Sequence, residues 1–401
     1  RLERIMKIVQ INQVSVYGST GHIVEDISAM LCDKGVDNRI YYGLGQTKNA
    51  NAVRFETDAQ LKMHKLSSRL TGRHGFASKL ATENLIQALH KYAPDIIHLH
   101  NLHGFYINLP LLFSYIKEAD ISVVWTLHDC WAFTGHCAHF DHAKCAKWKT
   151  GCERCPQRFE YPRALIDASA ANFSVKKKLF TGLRCCTVVT PSNWLAKLVG
   201  ESFLREYPVC VIPNGIDTAV FAPTGIEKNG RVVLACAPSL NENDLKGGGY
   251  LPRLAAALGS DHEVQVLGLA SDRTYPPGIT ALGYIQDQTQ LAEIYSSAAV
   301  FVNPTLQDNF PTVNLEALSC GTPVVTFDTG GSAEMLTADT GAVVKKGDLA
   351  ALTEKTKDWS GRRCSSACRQ RGLEYDKKEM YEKYFSLYCE VLSAEKRGPK
   401  N

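Results

Sequence analysis

Two carboxylates stand eight positions apart in the second half of the sequence. Asp308 follows an apolar run that ends at Asn303, and Glu316 lies in a helical pattern that begins near Thr312. Carboxylate oxygens accept hydrogen bonds from sugar and ribose hydroxyls, and the free N–H groups at a helix start suit an anion or a ring of hydroxyls. The spacing therefore indicates a polyol or phosphate site, although a helix-capping Asp308 and a surface Glu316 would produce the same pattern.

Two glycine-containing stretches follow these carboxylates, Gly321-Thr-Pro-Val-Val325 and Thr329-Gly-Gly-Ser-Ala-Glu334. Together with Asp308-x7-Glu316 they resemble the family 4 retaining glycosyltransferases of GT-B fold. The resemblance implies two Rossmann-like α/β domains with parallel sheets facing across an interdomain cleft. The family pattern has Glu at both carboxylate positions, so Asp308 keeps the charge but has a shorter reach.

The resemblance implies a donor site for a nucleoside diphosphate sugar in the second domain. Asp308 and the loop after it would hold the transferred sugar, and Glu316 would hold the ribose. Tyr284 and Ile285 would flank the base. The remaining donor-binding candidates, from the loop and the helix start, are Asn309, Phe310, Pro311, Thr312 and Val313.

Lys246, in Lys246-Gly247, matches the lysine that meets the donor diphosphate in this family. An ammonium is a compact charge that suits two phosphates, whereas without the family context the pair would indicate a solvated turn. The family usually has an arginine a few residues earlier, and here Pro238-Ser239-Leu240 takes its place. No Asp-x-Asp metal motif appears, so we expect no catalytic metal and assign the leaving diphosphate to Lys246, loop amides and helix dipoles.

The first half of the chain contributes three candidates to the same reaction. Gly18 and Gly21 follow the predicted strand Lys7–Asn12, and a glycine loop at this place can approach a diphosphate closely. His128 ends the run Trp125-Thr-Leu-His128, at the carboxyl end of a predicted parallel strand, where ligands bind. Similar family members have a histidine there that reaches the donor sugar. A structural histidine is the alternative interpretation.

A cysteine-rich loop, residues 130–156, comes directly after. Its Cys-x7-Cys-x6-Cys-x2-Cys pattern consists of Cys137, Cys145, Cys152 and Cys155. The closing Cys-x2-Cys has metal-ligand spacing, and four thiolates suit tetrahedral Zn²⁺, which would be structural. The other two spacings match no standard zinc finger, and unliganded reduced thiols are the alternative. With the neighbouring His-Asp-x-Trp131 run, this loop resembles a bacterial subgroup that makes colanic acid, related exopolysaccharides or O-antigens.

Alternating apolar runs and helical patterns predict parallel βαβ units, and 401 residues suit two α/β domains. We expect an acceptor-side domain at 6–205, a nucleotide-sugar domain at 206–373, and a helix at 374–393 that packs back on the first domain. The residues before Met6 are interpreted as a leader. The predicted strands are Lys7–Asn12, Arg39–Gly43, Asp95–Leu99, Ser122–Leu127, Cys186–Thr190, Val209–Ile212, Arg231–Ala235, Glu263–Leu267, Ile279–Ala281, Val300–Asn303, Pro323–Phe327 and Ala342–Val344.

The amino-acid composition restricts which binding partners and which cellular compartment are expected. The net charge is only +4, which argues against nucleic-acid binding through bulk charge. No apolar run approaches the ~20 residues that span a bilayer, so we expect a cytoplasmic protein with reduced cysteines. Residues 61–79 contain no acid. Such a segment suits peripheral contact with the cytoplasmic face of an anionic inner membrane, or it is a solvated basic face.

The sequence thus predicts a glycosyltransferase. It would move a hexose from a UDP- or GDP-linked sugar to a saccharide acceptor, with retention of configuration. The family resemblance implies that this acceptor is lipid-linked. No general base is assigned, because in such enzymes the departing phosphate is thought to help deprotonate the acceptor. A nucleotide-sugar epimerase and a non-catalytic carbohydrate-binding scaffold are the alternatives. A glycoside hydrolase is disfavoured, since no second carboxylate can be placed across a sugar from Asp308.

Overall fold

The computed structural model describes residues 5–16 and 18–396, which form two compact units. Unit 1 runs to Ile212 and resumes at Tyr381, and unit 2 is Pro213–Met380. The predicted domain borders were 205/206 and 373/374. Residues 1–4, which make up most of the predicted leader, lie outside the described part of the chain.

Unit 1 is built on a seven-stranded parallel sheet of order β3-β2-β1-β4-β5-β6-β7. The central strand β4 and its neighbour β5 consist entirely of buried residues, as expected where helices cover both faces. The strands are β1 (Lys7–Val14), β2 (Asp37–Leu44), β3 (Ala52–Arg54), β4 (Ile96–Leu99), β5 (Ser122–Thr126), β6 (Cys186–Thr190) and β7 (Val209–Val211).

The helices of unit 1 have identifiable start signals. Thr57 and Gln60 form a capping box at one helix, and Asn108 caps another by accepting from Leu111 N at 3.1 Å. The helices are α1 (Gly18–Asp33), α2 (Asp58–Thr71), α3 (Lys79–Tyr92), α4 (Leu109–Ala119), α5 (Ser169–Phe180) and α6 (Asn193–Glu201).

Unit 2 is built on a six-stranded parallel sheet of order β10-β9-β8-β11-β12-β13. Its strands are β8 (Asn229–Cys236), β9 (Glu263–Leu267), β10 (Ile279–Gly283), β11 (Ala298–Asn303), β12 (Val324–Phe327) and β13 (Gly341–Val344). Its helices are α7 (Leu251–Leu258), α8 (Gln288–Ser297), α9 (Thr312–Ser319), α10 (Leu349–Ser360) and α11 (Ser365–Leu373). The predicted α/β class with two parallel sheets is confirmed.

The last helix, α12 (Lys377–Lys396), begins in unit 2, and its residues from Tyr381 onward belong to unit 1. In unit 1 its tyrosines are buried and hydrogen bonded. Tyr388 Oη lies 2.7 Å from His98 Nδ1, and Tyr384 Oη lies 3.1 Å from Thr126 Oγ1. These contacts explain the aromatic residues at the C-terminal end of the sequence as packing and hydrogen-bonding groups.

Each sheet has one point at which the strand order reverses. In unit 1 this switch lies between β1 and β4, and in unit 2 it lies between β8 and β11. Open α/β sheets bind ligands beyond the carboxyl ends of the strands at such a switch. The loops after β8 and β11 are therefore the first place to look for a site in unit 2.

No helix in residues 5–16 or 18–396 combines the length and the apolar character that crossing a membrane requires.

Candidate active site

The loops that follow β8 and β11 are joined by their backbones. Leu306 N donates to Leu245 O at 2.9 Å, and Thr305 Oγ1 donates to the same carbonyl at 3.2 Å. Gly247 has φ +80°, and a Cβ added there would lie 1.9 Å from Pro304 O. Only glycine allows this approach, so the Lys246-Gly247 pair is a tight packing point and not a free turn.

This packing brings two predicted site residues into contact. Lys246 Nζ lies 2.7 Å from Asp308 Oδ2, and the two side chains are 53% and 17% exposed. Burial is the largest single influence and would lower the pKa of Lys246, but the charge and the hydrogen bond of Asp308, together with nearby Asp244, raise the pKa overall. A half-exposed ion pair adds little to stability. Its effect is to hold an ammonium and a carboxylate together at the switch point, within reach of one ligand.

Glu316 lies on α9 and is partly buried. Its Oε2 accepts a hydrogen bond from Tyr295 Oη at 2.9 Å, and Tyr295 is itself 1% exposed. Burial raises the pKa of Glu316 above its ordinary value. Pro311, and not Asp308, is the cap residue of α9. Glu316 is partly buried and hydrogen bonded, so it is not a surface residue either.

The Thr329-Gly-Gly-Ser stretch packs against the backbone of the Asp308 loop. Gly331 N donates to Asn309 O at 2.9 Å, and a Cβ at Gly330 would lie 1.6 Å from Asp308 O. Within the described part of the chain, three buried polar atoms around this contact have no hydrogen-bond partner, namely Gln307 Oε1, Thr329 Oγ1 and Ser332 Oγ. Buried polar atoms without partners are rare and indicate a site for a ligand or water.

The other predicted donor-binding residues differ in how far they are exposed to solvent. Phe310 is a core residue, 4% exposed, and its carbonyl accepts from Asn214 Nδ2 at 3.3 Å. Tyr284 is 83% exposed beyond β10, which is separated from β8 by β9, and Ile285 packs partly against the core. At the position of the family arginine, Ser239 Oγ lies 3.3 Å from Asp244 Oδ2 and closes a turn.

In unit 1, His128 lies two residues after β5, and its ring stacks on that of His100. His128 Nε2 is 3.1 Å from His100 Nδ1, and His100 Nε2 is 3.2 Å from Gln10 Oε1. Burial lowers the pKa of His128 to about 4, so its imidazole is neutral near pH 7. It can therefore exchange hydrogen bonds with a polar ligand but adds no charge.

Gly18 and Gly21 stand at the start of α1, beside the switch point of unit 1. Gly18 has φ +63°, a conformation that favours glycine. A Cβ at Gly21 would lie 3.0 Å from Val16 N, so this residue lets the helix start close to the preceding turn.

Three residues that sequence reasoning missed form a hydrogen-bonded row in unit 1. His103 Nε2 lies 2.7 Å from Asp129 Oδ2, and His103 Nδ1 lies 2.9 Å from Tyr161 Oη. Burial alone would raise the pKa of Asp129, but the neighbouring His103 holds it at about 2. The signal in the sequence was the histidine-rich run His98-Leu-His100-Asn-Leu-His103 at the end of β4.

The four predicted zinc ligands, Cys137, Cys145, Cys152 and Cys155, line a single cavity in unit 1. Within the described ranges, no three histidine, cysteine or acidic side chains are already grouped as ligands of one ion.

Comparison with known protein families assigns both halves of the chain. Residues 21–220 match the family described as Glycosyltransferase Family 4, and residues 251–360 match Glycosyl transferases group 1. A relative in Escherichia coli K12, named as a colanic acid biosynthesis glycosyl transferase, WcaC, is 26% identical over 413 aligned positions. The alignment covers 96% of this chain and 99% of the relative.

Solved structures show the same fold at low sequence identity. Sucrose-phosphate synthase from Thermosynechococcus elongatus has a TM-score of 0.68 at 15% identity, covering 97% of this chain and 100% of that one. Anabaena HepE in complex with UDP-glucose has a TM-score of 0.62 at 16% identity, covering 96% and 100%. The fold is the GT-B fold, and the chain belongs to the family 4 glycosyltransferases.

Proposed function

We propose that this glycosyltransferase moves a hexose from a nucleoside diphosphate sugar to a saccharide hydroxyl with retention of configuration, in bacterial exopolysaccharide or O-antigen synthesis. The observation that carries the proposal is the pairing of Lys246 with Asp308 at the switch point of unit 2, on loops joined by their backbones. The ammonium suits a diphosphate, and the carboxylate suits sugar hydroxyls.

In this proposal the leaving diphosphate takes its charge stabilisation from Lys246 and from the first amides of α9. Glu316 accepts from the ribose hydroxyls in addition to the hydrogen bonds that it makes with Tyr295 Oη and with the Thr312 side chain. In unit 1, His128 is neutral near pH 7 and can donate or accept a hydrogen bond. The bond from the anomeric carbon to the phosphate oxygen breaks, the acceptor oxygen bonds to that carbon on the same face, and the acceptor proton passes to the departing phosphate. No side-chain base is therefore assigned.

The relatives support a UDP-linked donor and a polysaccharide product. HepE was solved with UDP-glucose, and WcaC is named for colanic acid biosynthesis. UDP-hexoses are therefore the first donors to test, followed by GDP-hexoses.

The experiment is a release assay for nucleoside diphosphate, with each sugar nucleotide incubated alone and then with saccharide and lipid-linked saccharide acceptors. We expect acceptor-dependent release and an NMR spectrum of the product that shows the anomeric configuration of the donor. Conversion of the donor alone into its epimer would identify an epimerase instead. Binding of saccharides without any turnover of a donor would identify a scaffold.

A surface of unit 1 supports peripheral membrane contact as part of this function. Helix α2 buries His64 and Ser68, and its Leu61 packs against the core. Three other apolar residues of this helix, Met63, Leu66 and Leu70, point outward and are 71%, 58% and 49% exposed. Ordinary surface helices bury the apolar face. An outward apolar face needs another apolar phase or partner to cover it.

A second segment extends this face. Leu165 N donates to Arg69 O at 2.8 Å, which places residues 159–166 beside α2. Four exposed apolar side chains come from this segment: Phe159, Tyr161, Leu165 and Ile166. We call this segment and the outward face of α2 the docking surface. Its exposed flanking bases are Lys62, Lys65, Arg69, Arg73 and Arg163. The segment also has the exposed Glu160, but an apolar patch with five flanking bases suits an anionic bilayer, where a lipid-linked acceptor would be found.

Neutralising three of these bases should weaken vesicle binding. Near an anionic surface each base contributes about 1 kcal/mol, so Lys62→Gln, Lys65→Gln and Arg69→Gln together should reduce partitioning to anionic vesicles on the order of 100-fold. Flotation with anionic and with neutral vesicles measures it. The matched control is Ile226→Ser, which alters an exposed apolar residue of unit 2 (46% exposed). Equal partitioning of the triple variant and the unaltered protein would refute the docking surface.

A further inference from the structure

The loop between β5 and α5 has little regular structure of its own. Residues 127–168 contain only two short 3₁₀ turns, Trp131–Phe133 and Lys147–Lys149. A small aromatic cluster supports its middle, with Phe140 and Trp148 stacked at 4.8 Å between ring centres. The same loop nevertheless has to hold Tyr161 and the second segment of the docking surface in place.

The four cysteines of this loop gather at one small cavity. Cys137, Cys145, Cys152 and Cys155 line about 10 Å³ of space, roughly what one water-sized particle occupies. The thiols of Cys137 and Cys155 are in hydrogen-bond contact. Cys152 Sγ accepts from Gly135 N at 3.2 Å, the kind of N–H to sulfur bond that stabilises a thiolate.

Two polar residues, His136 and Gln157, also lie at the cavity. His136 Nε2 and Gln157 Oε1 are both buried without a hydrogen-bond partner in the described part of the chain. His136, which is 4% exposed, bonds the backbone of Arg158 through its other nitrogen. These atoms suit an ordered water, since an ion held by four sulfur atoms would not be their partner.

A buried cation lies beside the cysteines. Lys176 is 1% exposed, and its Nζ donates to the carbonyls of Trp131 and Thr134, the latter at 2.8 Å. Thr134 also lines the cavity of the four cysteines, which places the amine next to it. Burying an ammonium is costly unless negative charge lies nearby. Four thiolates around a divalent cation carry a net charge of −2, which Lys176 partly compensates.

We propose that this cavity binds one structural zinc ion through the thiolates of Cys137, Cys145, Cys152 and Cys155. Sulfur donors select zinc over hard cations, and four of them suit its tetrahedral geometry. Each thiol releases its proton to solvent when it coordinates the ion. No three of these side chains are yet at ligand positions within the described ranges, so binding turns the thiols inward around the cavity.

The direct test is the zinc content of the full-length chain, purified without chelator and measured by mass spectrometry of the metal. About one zinc per chain is expected, falling below about a tenth in Cys137→Ser and in Cys155→Ser. The matched controls are Cys32→Ser and Cys389→Ser, which alter cysteines outside the loop and should keep the ion. Less than about a tenth of a zinc in the unaltered protein, prepared with zinc in the medium, overturns the proposal.

Two further measurements keep the proposal falsifiable if a variant folds poorly. Cobalt added to apoprotein should produce the intense sulfur-to-metal charge-transfer band of a thiolate site, and chelation should open the loop to trypsin, which can cleave at Lys144, Lys147, Arg154 and Arg158. A disulfide between Cys137 and Cys155, found by peptide mapping of the unreduced, unaltered protein, would overturn the zinc site. Zinc lost in His136→Ala but kept in Cys145→Ser would overturn the four-cysteine donor set.

Discussion

Replacing Glu316 with Gln should reduce kcat/KM for the sugar nucleotide about 10- to 100-fold, because a hydrogen bond to a charged acceptor contributes roughly 1.5–3 kcal/mol. The amide can still accept from Tyr295 Oη, which Glu316 holds at 2.9 Å, so the fold should be retained. Steady-state kinetics with varied donor and saturating acceptor measure the effect. An unchanged melting temperature would separate the loss of activity from unfolding.

The matched control for this variant is Glu354→Gln, which neutralises a carboxylate that is 73% exposed on the surface of unit 2. It should leave donor kinetics unchanged. Full activity of Glu316→Gln, or an equal loss in both variants, would contradict the assignment of Glu316 to the donor site.

Replacing Gly330 with Ala should reduce kcat/KM at least about 100-fold, since a misplacement of about 1 Å at a reacting site costs that much. The new Cβ would lie 1.6 Å from Asp308 O, and a backbone carbonyl cannot move aside without its residue. The Asp308 loop must therefore shift, and with it the contact to Lys246. Donor kinetics and the free energy of unfolding measure the two consequences separately.

Gly225 provides the control for backbone strain. It has φ +78°, close to the +57° of Gly330, but no atom lies within 4 Å of a Cβ added there. Gly225→Ala should therefore show the strain of a left-handed residue, about 1–2 kcal/mol in unfolding free energy, with ordinary activity. Equal activity of the two variants would show that the contact between Gly330 and Asp308 does not position the site.

Much of the fold could be predicted because buried parallel strands produce continuous apolar runs. Strands such as β6 and β9 match the predicted bounds, and most others differ by one or two residues at their ends. The exception is β3, whose three residues pair only with β2 at the sheet edge. A strand of three residues is too short to produce an apolar run that could be recognised in the sequence.

The carboxylate pair and Lys246 could be found in the sequence, but their mutual arrangement could not. Lys246 and Asp308 are 62 positions apart, and their contact depends on the packing of Gly247 against Pro304. The exposure of the apolar face of α2 could not be predicted from the sequence either. Periodicity identifies an apolar helix face, but it does not show whether that face packs on the core or is exposed. In the sequence, Lys176 is the first of three consecutive lysines, a pattern typical of a solvated surface, whereas in the structure it is buried.

The central claim is that unit 2 binds a nucleoside diphosphate at the Lys246–Asp308 pair. Calorimetric titration of the purified chain with UDP and then with GDP tests it most directly. The account predicts saturable binding of one of the two, one molecule per chain, weakened by Glu316→Gln. An absence of saturable binding of either nucleotide in folded protein would contradict it.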